Sequence, residues 1–323
     1  MKNLIVSASP HLHTKTTTQS IMRDVLIALA PASVAAVVLF GLKALIILAL
    51  CVGTCVLSEY LFNLITKKKQ TIVDLSACVT GVLLALSLPA TAEIWHCIVG
   101  SVFAIIVVKC LFGGIGCNFA NPAVTARVFL LIAFTSSIAG GTSSIFAAED
   151  TAAAFTNVDL VSSATPLAEI KAGAAVETLP SLFDMLIGNR GGAIGEGCII
   201  ALVIGGIYLI ARKVIGWQTP VIFIGTVFVL SLILEGSATL ALYELLGGGV
   251  VIAAFFMATD YSTTPINKYG KMVFALGCGL ITVLIRFWGS YPEGVSFAVL
   301  LMNILSPYIE KLCTLKPFGK VGK

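Results

Sequence analysis

The chain has 323 residues, of which 58% are hydrophobic and only 11% charged, with a formal net charge of +4. A soluble domain devotes roughly 25% of its residues to charge, because its surface must face water. So small a charged complement excludes a soluble globular protein and leaves an all-α integral membrane protein whose surface meets lipid, with no feature suited to nucleic acid.

The first twenty residues, with His11, His13 and Lys15 among threonines, lack an apolar core, so no cleavable signal peptide is expected there. A membrane-spanning helix needs about 20 mostly apolar residues. Ten stretches answer to that: roughly 24–42, 44–65, 72–90, 94–112 and 123–139, then 193–211, 219–235, 238–258, 271–289 and 294–312. Helices are expected because lipid leaves no partner for exposed backbone groups and no alternating barrel pattern is present.

The second span carries Glu59 and the eighth Glu244, both deep in apolar sequence; Asp74 and Asp260 stand near span ends. An ionised group at a helix centre costs about 3 kcal/mol and marks a functional position by default. These four are the ion-coupling candidates. Asp74 and Asp260 have a plainer alternative as hydrated helix ends.

With the N-terminus inside, most cations gather on the inner side: Lys2, Lys15, Arg23, Lys67, Lys68 and Lys69, then Lys109 and Arg127 around span ends, Arg212, Lys213, Lys268, Lys271, and Lys311 through Lys323, while Lys43, Lys171, Arg190 and Arg286 fall outside. Loop acids such as Glu93, Glu149, Asp150, Asp159, Glu169, Glu177, Asp184 and Glu293 fall outside. Positive-inside bias then places both termini in the cytoplasm of a prokaryotic cell and the chain in its membrane as a multi-pass protein. The segment 140–192 becomes one long extracytoplasmic loop, and loops beyond about 12–15 residues are usually functional. It divides a single membrane domain into 1–139 and 193–323, each with five spans. Five is odd, so the second set enters the membrane inverted. "ACVTGVLLALSLPAT" (77–91) and "LGGGVVIAAFFMATD" (246–260) echo each other, as interrupted helices do in inverted repeats.

No P-loop, G-x-G-x-x-G turn, H-E-x-x-H helix or nucleophile–His–acid set is present, and only three histidines occur. The nine cysteines form no C-x-x-C pair and read as small hydrophobes within apolar runs rather than metal ligands. The exception to this silence is "DLVSSAT", Asp159 to Thr165, in the long loop. It is similar to the D-x-x-S-G-A-T flavinylation signature, with Ser163 where glycine is usual. A plain Ser/Thr turn before Pro166 is the alternative.

"SASPHLHTKTTTQSIMRDVLIALAP" (7–31), "FGGIGCNFANPAVTARVFLL" (112–131), "IGNRGGAIGE" (187–196) and "FMATDYSTTP" (256–265) stand in order along the chain. Together they resemble the D-type subunits (RnfD) of Rnf electron-transport complexes, related to the B-type subunit (NqrB) of the sodium-pumping NADH:quinone oxidoreductase. The resemblance covers essentially the whole chain. It implies a complex that couples electron flow between ferredoxin and NAD+ to Na+ or H+ translocation. Its partners would be the A-, B-, C-, E- and G-type subunits, above all the G-type subunit as the second FMN carrier.

The resemblance further implies FMN esterified through its phosphate to Thr165, beside Ser162, Ser163 and Ala164, with Lys171 and Arg190 as cations able to neutralise the phosphate. On this reading Thr165 is an exposed loop side chain, and Glu196 is free to pair with Arg190. A second, non-covalent flavin, riboflavin, is expected toward the cytoplasmic side. Asn118 and Asn121, at i and i+3, can both donate and accept toward a flavin ring edge; alternatively Asn121-Pro122 simply caps a helix. Electron relay needs no general base in the protein. Two other classes remain: an inverted-repeat channel for a small polar solute, which needs no cofactor, and a structural anchor for partner subunits.

Overall fold

The computed structural model describes residues 16–144, 162–173 and 179–314. The first helix, α1 (Thr18–Ile65), opens with a capping box: Thr17 Oγ1 accepts from Ser20 N at 3.2 Å, and Ser20 Oγ accepts from Thr17 N at 3.1 Å. It runs 48 residues but turns at Gly41, whose φ of 69° and ψ of −158° suit only glycine. The two predicted spans 24–42 and 44–65 are therefore two legs of one kinked helix.

α2 (Ser76–Ser87), α3 (Ile94–Val102), α4 (Pro122–Ala133) and the single turn α5 (Thr135–Ile138) follow. α3 continues without a break as the π-helical stretch Phe103–Cys110. In the middle of the chain, β1 (Gly141–Thr142) pairs antiparallel with β2 (Ser162–Ser163), in the register Gly141 to Ser163 and Thr142 to Ser162. Two short helices, α6 (Pro166–Lys171) and α7 (Leu182–Ile187), lie next to this pair in sequence. The second helical set is α8 (Ile199–Ala211), α9 (Gln218–Glu235), α10 (Ala238–Leu246), α11 (Val250–Ile252, continued by the π-helical Ala253–Met257), α12 (Lys268–Trp288) and α13 (Val295–Leu312).

Ten apolar helical segments thus stand where ten spans are expected, if the legs of α1 are counted separately and α10–α11 together. Their lengths are not uniform. Among the described residues four helices are long and apolar enough to cross a membrane, and the pair α10–α11, bent by 62°, makes a fifth if taken as one span. α2 and α4 have 12 residues each and α8 has 13; at 1.5 Å per residue they reach about 18–20 Å, short of a hydrocarbon core of about 30 Å. The expectation of a continuous span over 72–90 is corrected here. Leu75 takes a left-handed conformation (φ 60°) before α2, and the chain leaves the helix at Ser87–Leu88, ahead of Pro89.

A large apolar core joins α1, α2, α3, α4 and α8, and a second joins α9, α11, α12 and α13. Close helix approach is set by small residues. A Cβ on Gly81 would lie 2.7 Å from Val52 Cα, and one on Gly205 2.1 Å from Ala28 O, so α2 and α8 pack directly on the α1 backbone. Ile204, Ile207, Ile233, Leu276 and Leu301 are exposed on the outside of the bundle, as a lipid-facing surface requires. Of the nine cysteines, Cys51, Cys55, Cys97, Cys110 and Cys278 are buried as expected of small hydrophobes, whereas Cys117 is exposed in the turn before α4.

Candidate functional site

At the end of the bundle where α1 begins, a cavity lies between the two helical sets. α1, α2 and α8 supply its apolar wall; Asn118, Asn121, Thr80, Lys109 and Asp260 supply its polar groups. Asn118 and Asn121 thus converge on one space, though from the turn before α4 rather than from a helix face. Asn121 is the N-cap of α4: its Oδ1 accepts from Ala123 N at 3.0 Å and Val124 N at 3.4 Å, with Pro122 in the first turn. The capping alternative therefore describes its acceptor, and its amide NH2 approaches Met257 O at 3.5 Å. Asn118 differs. Its Oδ1 is buried without a hydrogen-bond partner among the described residues, an acceptor that needs a donor within the cavity.

Asp260 faces the same cavity. Its carboxylate is no freely hydrated helix end, because it holds the following turn, accepting from Ser262 N at 3.2 Å, from Ser262 Oγ at 3.0 Å and from Thr263 Oγ1 at 3.3 Å. Asp74 lies in the short 3-10 turn Ile72–Asp74 ahead of α2 and is half-buried.

The two deep glutamates are both paired. Glu59, 1% exposed, receives Lys109 Nζ at 2.8 Å on each of its oxygens. The third ammonium proton goes to Ser76 Oγ, also at 2.8 Å, and Thr71 Oγ1 donates to Glu59 Oε1. Every donor of Lys109 is thereby used, which is what makes so complete a burial of two charges tolerable. Through Lys109 and Ser76 this ion pair borders the large cavity. Sequence reasoning places Lys109 at a span end; its position within "FAIIVVKC" is the signal for an intramembrane cation.

Glu244 is held by Arg286, whose Nη1 lies 2.8 Å from Glu244 Oε2. The same guanidinium donates to the main-chain oxygens of Glu244, Gly247 and Gly248. Arg190 donates to Leu246 O at 2.8 Å and to Glu196 O at 3.0 Å. Two arginines thus cover the carbonyl end of α10 where the chain breaks at Gly247–Gly249, the end whose partial charge is negative. The C-terminal end of α2 is closed by the backbone, Ile194 N donating to Leu88 O at 2.9 Å. Arg190, expected from the sequence beside a phosphate, donates here to this helix end, and its hydrogen bond to Glu196 goes to the main chain and not to the carboxylate. Lys171 is likewise engaged, donating to Gly289 O and Tyr291 O. Arg127, grouped with the inner cations from sequence, forms an ion pair with Glu293, grouped with the outer acids, at 3.0 Å. Arg127 sits in the middle of the short α4, so it reaches a residue from the far loop.

Thr165 is the N-cap of α6, and its Oγ1 accepts from Ala168 N at 3.3 Å. It is 6% exposed and not the exposed loop side chain expected. The cause is close packing on β1, where a Cβ on Gly141 would lie 2.9 Å from Thr165 Cγ2. Ala164 beside it is exposed, and Ser162 and Ser163 form β2; Asp159 lies outside the described residues. In its hydrogen bond with Ala168 the Thr165 oxygen acts as acceptor. An ester there would replace the hydroxyl hydrogen with a phosphoryl group while leaving the oxygen beside Ala168 N, and at so buried a side chain it requires the packing of Thr165 on Gly141 to open.

The chain matches the NQR2, RnfD, RnfE family over residues 5–319. It is 44% identical to the D-type subunit of the Na(+)-translocating ferredoxin:NAD(+) oxidoreductase complex of Acetobacterium woodii, with 98% of this chain and 96% of that protein covered. It is 38% identical to the D-type subunit of the proton-translocating ferredoxin:NAD(+) oxidoreductase complex of Clostridium ljungdahlii, over 98% and 97%. The D-type subunit of an ion-translocating oxidoreductase complex from Halorhodospira halophila is 35% identical over 97% and 95%.

Proposed function

The chain belongs to the NQR2, RnfD, RnfE family, and from that membership we propose that it is the D-type membrane subunit of an ion-translocating ferredoxin:NAD+ oxidoreductase, carrying covalent FMN on Thr165 and riboflavin in the cavity at the start of α1. What carries the reading is that the whole chain, not one segment of it, follows relatives named as D-type subunits of such complexes. The A-, B-, C-, E- and G-type subunits complete the electron path, with the G-type subunit as the second FMN carrier. The coupled ion is Na+ or H+, since relatives are named for each.

Bound flavins supply the one-electron chemistry; the chain supplies place and field. Thr165 Oγ1 anchors FMN, with Ser162, Ser163 and Ala164 leading the chain to it. Asn118 Oδ1 accepts from the riboflavin, and the apolar wall of α1, α2 and α8 excludes water. The Lys109–Glu59 pair sits at the cavity edge, where Lys109 would place a positive charge beside a bound flavin and Glu59 would be the nearest acid to balance that charge. Glu244, Asp74 and Asp260 are the further coupling candidates. The flavin-bearing segment lies outside the cell, with both termini in the cytoplasm.

The solute-channel reading is disfavoured by the plugged helix ends. A conducting pore of this architecture needs free carbonyls or half-helix ends at its centre. Here Arg190 and Arg286 occupy one such end and Ile194 N the other.

Thr165→Val tests the cofactor assignment. The variant assembles with its partners but shows no flavin fluorescence after denaturation and electrophoresis, while the parent chain does. Flavin still bound to the denatured valine chain would place the attachment elsewhere.

A further inference from the structure

A second cavity, of about 20 Å³ and so with room for a single water, lies among α2, α4, α11 and the start of α13, apart from the cavity at the start of α1. Its ionisable lining is Arg127, Glu196 and Glu293. Arg127 is 2% exposed. Its Nη2 is held by Glu293, but its Nη1 is buried with no hydrogen-bond partner among the described residues. A buried donor left unpaired costs about 1–3 kcal/mol, and more when charged, so this N–H calls for an acceptor inside the cavity.

Glu196 offers one. Its main-chain oxygen is taken by Arg190, while glycines make room for its carboxylate: a Cβ on Gly249 would lie 3.0 Å from Oε1, and one on Gly192 3.4 Å from Oε2. Arg127 and Glu196 line one cavity without joining in a direct ion pair, the arrangement in which a buried water bridges donor and acceptor. The charged groups around the Glu196 carboxylate are Glu293 and the guanidinium groups of Arg190, Arg127 and Arg286. A metal cation beside three guanidinium groups would be repelled, whereas a proton would neutralise the carboxylate without entering as a separate charge. Glu293 keeps 17% of its side chain exposed. It belongs to the α12–α13 turn, against which Lys171 also packs.

We propose that Glu196 is an internal proton-binding site, reached through a water held on Arg127 and closed toward the aqueous face at the α12–α13 turn by the Arg127–Glu293 ion pair. The step is a proton transfer with no electron moved. A carboxylate oxygen of Glu196 forms an O–H bond with a proton from hydronium at that face, leaving water, and returns it by the same bond breaking. Opening of the Arg127–Glu293 pair admits the proton. The site depends on neither flavin.

Infrared spectroscopy of the lipid-reconstituted complex, in H2O and D2O across a pH series, tests this. The expected result is a protonated-carboxyl band that titrates, shifts on deuteration, is lost in Glu196→Gln and persists in Glu244→Gln. In Glu293→Gln the band remains and exchanges with deuterium faster than in the parent, because the closing ion pair is gone. The second variant stands on its own if Glu196→Gln fails to assemble. A titrating band that survives Glu196→Gln, or exchange in Glu293→Gln no faster than in the parent, overturns the proposal. Flavin content is read separately on the same samples, so this site and the electron-transfer reading can fail independently.

Discussion

At the scale of single residues, Glu59, Lys109, Glu244, Arg286 and Arg127 are buried charges held in ion pairs, and each pair joins positions far apart in sequence. Lys109 and Glu59 are both nearly inaccessible to solvent. Lys109→Met would leave a buried, unpaired carboxylate and is expected to destabilise the protein by about 3–5 kcal/mol, whereas the double variant Glu59→Gln, Lys109→Met should recover much of that loss. Thermal unfolding of the solubilised chain checks both; equal losses in the single and double variants would mean that the pair is not the determinant. Glu293 read as a loop acid, whereas Glu59 and Glu244 were legible in the sequence as carboxylates within apolar runs. Their partners were not. Arg286 lies 42 residues from Glu244, and Arg127 lies 166 from Glu293, so only the three-dimensional packing brings them together. The motif singles out Thr165 in the sequence, but its burial against Gly141 depends on a strand pairing that two-residue strands do not announce.

Among the elements, hydropathy located all ten apolar segments, since lipid demands the same signal from each. What it could not convey is how each segment is broken. Half-length α2, α4 and α8 carry the same apolar residues as full spans, and their ends are set by local backbone geometry and by tertiary partners such as Ile194 N on Leu88 O. Gly41 illustrates the point, because one glycine in an apolar run reads as ordinary membrane-helix composition, yet it turns α1 into two legs. Gly41→Ala forces a side chain into a backbone region reserved for glycine and should cost about 1–3 kcal/mol, seen as a lower unfolding temperature in detergent. An unchanged or higher temperature would show that the kink is not held in place. The covered carbonyl end of α10 belongs here too. Two arginines from separate elements meet there, and no periodicity foretells it.

For the whole molecule, the proposed function requires a sided protein, with the large cavity and both termini facing the cytoplasm and the segment that would bear the flavin facing out. Exposed positions mark each face. Cys117 lies in the turn next to the cavity, and Ala164 lies next to Thr165. A membrane-impermeant thiol reagent is expected to label Cys117 in inside-out vesicles only. In a variant with Cys117→Ser and Ala164→Cys, it should label position 164 in right-side-out vesicles only. The reverse pattern would invert the topology, and with it the direction of electron and ion flow. The central claim is narrower, that this protein works through a flavin bound covalently at Thr165. The intact mass of the chain purified from cells that flavinylate proteins, followed by mapping of the modified peptide, tests it most directly. A single FMN-sized increment is expected, carried by the peptide that contains Thr165. An unmodified mass, or an increment on a peptide without Thr165, would contradict it.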